Sequence, residues 1–123
     1  MEIAITNVEN ASIVVIDGDI DSSTAPEVQR QILPIVAENR KIIIDMSKVD
    51  FMSSAGLRTM LLIHRNSAAK KCLVILAGVK AQIAGTMKAT GFYAFFTIYN
   101  NVDEALAATR GEYHDGDRLL SNA

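Results

Sequence analysis

The sequence is short of most of the residues and patterns that announce a particular chemistry. It has one cysteine, Cys72, so no internal disulfide can form. That cysteine stands in an apolar run, where packing is a commoner role than reactivity, and a reducing, cytoplasmic setting is expected. One cysteine and two histidines cannot assemble a structural zinc site. The seven glycines are scattered, which leaves no Gly-rich cradle for a phosphate, and no resident metal or cofactor is expected. No apolar stretch reaches membrane-spanning length, and Met1-Glu2-Ile3 lacks the charged-then-apolar order of a secretory leader. Neither membrane insertion nor export is therefore expected. A Lys/Arg run is missing too, and the net charge is −2 with a pI near 5.6, which argues against nucleic acid as a partner.

What is present is an ordinary globular composition. The 123 residues are 50% hydrophobic and 21% charged, enough for one domain with a sizeable core. Glu2–Val8 alternates, and Ser12–Ile16 is a β-branched run, so the two are predicted to pair as a hairpin turning at Glu9-Asn10. Thr24-Ala25-Pro26-Glu27 has the form of a capping box with proline in the first turn. The helix it opens carries Val28, Ile32, Ile35 and Val36 on one stripe, with Pro34 predicted to kink or end it. Lys41–Met46, with Ile42, Ile43 and Ile44 in succession, reads as a strand covered on both faces.

After Val49-Asp50-Phe51-Met52, the segment Ser53-Ser54-Ala55-Gly56 opens a helix to about Ala69, with Ser53 or Ser54 as its N-cap. Ala55 and Gly56 would let that helix approach the sheet closely. Leu57, Met60, Leu61 and His64 are predicted on its buried side. A strand over Cys72–Ala77, a helix over Ala81–Thr90 stopped by Gly91, a strand over Phe96–Tyr99 and a helix over Val102–Arg110 follow. The resulting fold class is α/β: a single domain over residues 1–110, with a mixed, mostly parallel sheet of about five strands and about four helices. Residues 111–123 turn polar and read as a tail.

Two chemistries can be tested on spacing. A hydrolase elbow around Ser54 needs glycine two residues earlier, where Met52 stands. The nearest histidine, His64, lies further along the same helix, about 15 Å away in axial rise. With no base in reach, catalysis is not expected, and the chain is read as a non-enzyme. Asp17, Asp19 and Asp21 alternate as in a calcium loop, but Ser22 occupies the obligatory glycine position and Val28 that of the final glutamate. A solvated acidic turn is the simpler account. Asp21 and Asp45 are expected to end their strands at the sheet edge that faces the serines.

The run Val49-Asp50-Phe51-Met52-Ser53-Ser54-Ala55-Gly56-Leu57 resembles the signature of STAS domains, especially the bacterial anti-sigma factor antagonists. Gly18-Asp19-Ile20-Asp21, Ala89-Thr90-Gly91-Phe92 and Val102-Asp103-Glu104-Ala105-Leu106 resemble further family segments in the same order, so the likeness spans about residues 1–110. It implies an antagonist that acts by partner switching. Unphosphorylated, it would bind an anti-sigma factor that is also a serine-protein kinase; phosphorylation of Ser54, with Ser53 as runner-up, would release it. The resemblance also implies a cognate serine phosphatase and a weak homodimer, with Asp21, Ser53, Ala55, Gly56, Leu57 and Arg58 as partner-binding residues. Two positions depart from the family pattern: Ser53 stands where an aspartate is usual, and Ala55 where a serine or threonine is usual. A transporter-associated or scaffold STAS module that is not phosphorylated is the alternative the same resemblance allows.

Overall fold

Two hydrophobic periodicities alternate along the chain, and each resolves into its own element. The computed structural model describes residues 1–8 and 11–113. β1 (Glu2–Val8) and β2 (Ala11–Asp17) form the expected antiparallel hairpin, with Ile3 opposite Ile16 and Ile5 opposite Val14. Glu9 and Asn10, expected as its turn, lie outside the described residues. The remaining elements are α1 (Ala25–Ile32), β3 (Lys41–Lys48), α2 (Ser54–Ala69), β4 (Leu73–Ala77), α3 (Ala81–Ala89), β5 (Thr97–Tyr99) and α4 (Val102–Tyr113).

The sheet order is β1-β2-β3-β4-β5, with every pair after the hairpin parallel. Each crossover therefore steps one strand further in the same direction. Crossovers of one hand then leave their helices on one face of the sheet. Val28 and Ile32 of α1, Leu57, Met60 and Ile63 of α2, and Ile83 and Met87 of α3 accordingly share a core with Val14, Ile16, Ile42, Ile44, Met46, Val74 and Leu76. α4 has no described strand to lead into and covers the opposite face, with Ala105 packed against Ile43, Ile75 and Ala77. Coverage on both sides is why Ile42, Ile43 and Ile44 are all fully buried.

Local chemistry sets the element ends. Pro34 lacks an N–H and crowds the preceding turn, so α1 stops at Ile32 and passes into one 3₁₀ turn, Leu33–Ile35. Gly91, at φ +80°, closes α3. Phe92 N–H donates to Met87 O at 2.9 Å and Gly91 N–H to Lys88 O at 3.2 Å, the paired bonds of a Schellman motif.

Three expectations shift. α4 continues to Tyr113, three residues beyond Arg110, and the rest of the expected tail, 114–123, lies outside the described residues. The buried stripe of α2 is Gly56, Leu57, Thr59, Met60, Ile63 and Ser67, leaving Leu61 and His64 half-buried on its flank. Small residues anchor that stripe because their polar atoms are satisfied. Thr59 Oγ1 accepts from Gln29 Nε2 at 3.0 Å, and Ser67 Oγ donates to His64 O at 2.8 Å.

The third concerns the start of α1. Thr24 takes the N-cap position, but its hydroxyl does not accept from the helix. It accepts from Asp21 N–H at 2.9 Å and donates to Asp19 O at 2.7 Å. Glu27 turns to Arg30 and Gln31 instead of closing a capping box.

Candidate functional site

The carboxyl ends of β2 and β3 feed two neighbouring connections, and main-chain hydrogen bonds stitch them together. Gly18 N–H donates to Lys48 O at 3.1 Å, Ile20 N–H to Phe51 O at 3.0 Å, and Ser53 N–H to Ile20 O at 2.9 Å. Ile20 and Met52 form an isolated parallel bridge, and both side chains are buried. Just before it the β2–β3 register slips: Val15 faces Asp45 but Asp17 faces Lys48, so β3 spends one residue more than β2. Such an irregularity bends the strand ends. The two connections then continue beyond the sheet as a pair.

α2 starts hard against this pair. A Cβ on Gly56 would stand 2.5 Å from Met52 Cγ, 2.7 Å from Ile20 O and 2.9 Å from Ile20 Cγ2, so only glycine fits. The close approach expected of this segment belongs to Gly56, while Ala55 is half-buried beside it. Of the two candidate caps, Ser53 is the one used. Its backbone is extended (φ −79°, ψ 177°) and its hydroxyl accepts from Gly56 N–H at 3.4 Å.

Ser54 is thereby freed. It is the first residue of α2, exposed, and its hydroxyl makes no hydrogen bond among the described residues. Arg58, one turn further along the same face, is also exposed. Gly56 and Leu57 point the other way and are buried, so they support the turn from beneath. The surroundings of Ser54 include two features that periodicity alone left unmarked. Phe51 is 51% exposed although it sits between buried Val49 and Met52. Asp50 pairs with Lys80, which ties the turn to the start of α3.

Asp21 lies on the β2–α1 connection, beside the serines, but its carboxylate serves its own turn. Oδ1 accepts from Ser23 Oγ at 2.7 Å, Ser23 N–H at 2.9 Å and Thr24 N–H at 3.1 Å. These bonds, led by that from the Ser23 hydroxyl, hold the carboxyl below the usual aspartate range. Asp45 does not end its strand, since β3 runs on to Lys48. It shares the α4 face with Ile43 by strand alternation and accepts from Ser47 N–H at 3.0 Å, away from α2. His64 packs against Phe95 and Phe96, with ring centroids 6.2 and 5.4 Å away. Cys72 is buried, and burial pushes its thiol up.

The site as built is an exposed hydroxyl on a glycine-supported helix start, with an exposed aromatic before it and an exposed guanidinium one turn after it. No helix among the described residues is long and apolar enough to cross a membrane.

Comparison with known proteins places this geometry in context. The family model of the STAS domain matches residues 2–105. BtrV of Bordetella bronchiseptica, a protein assigned as an anti-sigma factor antagonist, is 24% identical over 109 residues, covering 88% of this chain and 94% of its own. The crystal structure of an anti-sigma factor antagonist from Mycobacterium paratuberculosis superposes with a TM-score of 0.74 at 27% identity, covering 89% of this chain and 93% of that one. Prestin of Rattus norvegicus is 25% identical over an alignment of 113 positions, gaps included, that covers 75% of this chain but only 15% of prestin.

Proposed function

Because the chain belongs to the STAS domain family, we propose that it is an anti-sigma factor antagonist working by partner switching, with Ser54 as the residue whose phosphorylation ends binding. The observation that carries this proposal is the division of labour between two adjacent serines. Ser53 holds the cap bond, and Ser54 presents to solvent, at the first position of α2, a hydroxyl with no hydrogen bond among the described residues. A residue that performs the capping is poorly placed to be modified. Its neighbour is well placed. The likeness to BtrV over nearly the full length of both chains supports the general role.

In the proposed reaction a kinase transfers the γ-phosphoryl group of ATP to Ser54 Oγ. The oxygen–phosphorus bond forms, the bond to ADP breaks, and the hydroxyl proton passes to a base of the kinase. The product carries about −1.5 to −2 charge and three acceptor oxygens. At the start of a helix it meets N–H groups without intrahelical partners, an interaction of about 0.3–1 kcal/mol per charge, so the fold tolerates it. The partner does not. A surface complementary to a neutral hydroxyl faces an unmatched dianion, at a cost of several kcal/mol, and about 1.4 kcal/mol is already tenfold in affinity.

The test begins with the co-purified anti-sigma kinase and ATP. Mass spectrometry should place one phosphate on Ser54, and Ser54→Ala should abolish it. Modification at Ser53 alone would overturn the site assignment. Ser54→Asp should weaken partner binding tenfold or more while leaving the melting temperature nearly unchanged. The fold shared with a sulfate transporter family protein from Wolinella succinogenes, at a TM-score of 0.73, and the match to only 15% of prestin support a second reading, a module attached to a transporter. Stable binding to a permease, indifferent to Ser54→Asp, would establish that one instead.

A further inference from the structure

Ser54 and Arg58 are four residues apart on α2, and both are exposed. Side chains at this spacing lie one above the other on a helix surface. Arg58 makes no hydrogen bond or ion pair among the described residues, so its guanidinium is uncommitted. It is also the only cation in the first two turns of α2, and those turns contain no acidic residue.

The other side of Ser54 is different in sign. The stitched connections bring Asp19 and Asp21 beside Phe51–Ser53, and Asp50 precedes them. Lys80, tied to the same turn, is already paired with Asp50. A dianion on Ser54 is thus repelled from the sheet edge and drawn along the helix.

We propose that Arg58 is the intramolecular acceptor of the Ser54 phosphate. The inference rests on the assignment of Ser54 in the preceding subsection. The guanidinium closes on the phosphate oxygens as a charge-assisted, two-pronged contact. Phosphorylation then changes the surface in two ways at once. It adds a dianion, and it withdraws the one cation that the first two turns of α2 offer to a partner. Arg58 is a positioning residue in this scheme, and it fixes where the phosphate stands.

The experiment needs neither kinase nor partner. Phosphoserine is placed at position 54 by genetic encoding, in the full chain, and its second ionisation is followed by ³¹P NMR. Arg58 favours the dianion, so Arg58→Gln should raise that pKa by about 0.15–0.4 unit relative to the unsubstituted protein. Arg58→Lys should recover part of the shift. At about 1 M salt, where the screening length is about 3 Å, the difference should shrink. Phosphoserine at position 53, whose side chain turns to Gly56 N–H, should be indifferent to Arg58→Gln.

A change smaller than about 0.1 unit at position 54 would overturn the proposal, as would an equal response at position 53. The two failures can be told apart. A flat titration alongside a phosphate mapped to Ser54 removes Arg58 and keeps the switch. A kinase that ignores Ser54 removes the switch and leaves the titration difference standing.

Discussion

Replacing Gly56 with alanine should destabilise the domain, against the ordinary preference of helices for alanine. The new methyl would stand 2.5 Å from Met52 Cγ and 2.7 Å from the carbonyl oxygen of Ile20. Met52 can rotate, but Ile20 O is main chain and accepts from Ser53 N–H at 2.9 Å, while Ile20 N–H donates to Phe51 O at 3.0 Å. Relief therefore requires α2 to lift or the two connections to part. Overpacking of this kind costs about 1–3 kcal/mol. Weakening either main-chain bond adds about 1 kcal/mol, and the helix propensity of alanine returns up to about 1 kcal/mol. The net loss is about 1–3 kcal/mol. At this chain length, 1 kcal/mol corresponds to about 3–6 °C, so the melting temperature should fall by about 3–18 °C. Urea unfolding followed by circular dichroism would report the same loss as a lower midpoint with an unchanged slope. Gly85→Ala is the matched control, because a Cβ there meets nothing within 4 Å in the middle of α3, and it should gain about 0.5–1 kcal/mol. If Gly56→Ala proved as stable as the parent chain, the close approach of α2 to the Ile20–Met52 bridge would be refuted.

Ser53→Ala removes the only side-chain cap of α2 and should cost about 0.5–1 kcal/mol, the low end for caps because the bond is long at 3.4 Å. Its measured loss should exceed that of Ser54→Ala in the same unfolding assay. Asp21 has a folded-state pKa below its ordinary value of 3.8, so its contribution to stability is present above that pH and disappears as pH falls through the folded value. Asp21→Asn should accordingly be the less stable protein at pH 7, with the gap closing in acid; a gap independent of pH would contradict the turn described for Asp21. Cys72 is buried with its thiol pushed up, so a thiol reagent such as DTNB should react far more slowly with the native chain at pH 8 than with the chain in urea. Equal rates would mean that Cys72 is accessible.

The elements were legible wherever one periodicity dominated. The run Ile42-Ile43-Ile44 could only be a strand with both faces covered, and Gly91 and Pro34 each stopped a helix where their backbone chemistry requires it. The misreadings have two kinds of cause, local side-chain bonding to the backbone at Thr24 and long-range contact at Asp45 and on α2. Thr24 has the spacing of a capping box, but Asp19 and Asp21 offer its hydroxyl closer partners. Asp45 looked like a strand end because polar Ser47 and Lys48 follow the apolar run to Met46, yet both belong to β3 and the ladder with β2 reaches Lys48. On α2, the contact of Gly56 with the bridge sets the rotation of the helix, and that contact is made by residues distant in sequence. Of the site, the position of the turn was readable from spacing. Which serine caps was not, because both have the right chemistry and only the extended backbone of Ser53 separates them. Phe51 escaped notice for a similar reason, since exposure of an aromatic next to buried Val49 and Met52 depends on the path of the loop.

The stitch between the two connections has a consequence for how this surface can change over generations. Its hydrogen bonds join Gly18 to Lys48 and Ile20 to Phe51 and Ser53 through peptide groups alone, and its anchor at Gly56 is the lack of a side chain. The framework and the message are therefore written in different atoms. Substitutions at Ser54, Ala55, Arg58 or the Phe51 ring can rewrite what the surface says without disturbing the page on which it is written. A fold built this way can drift from one partner to another while its scaffold stays still.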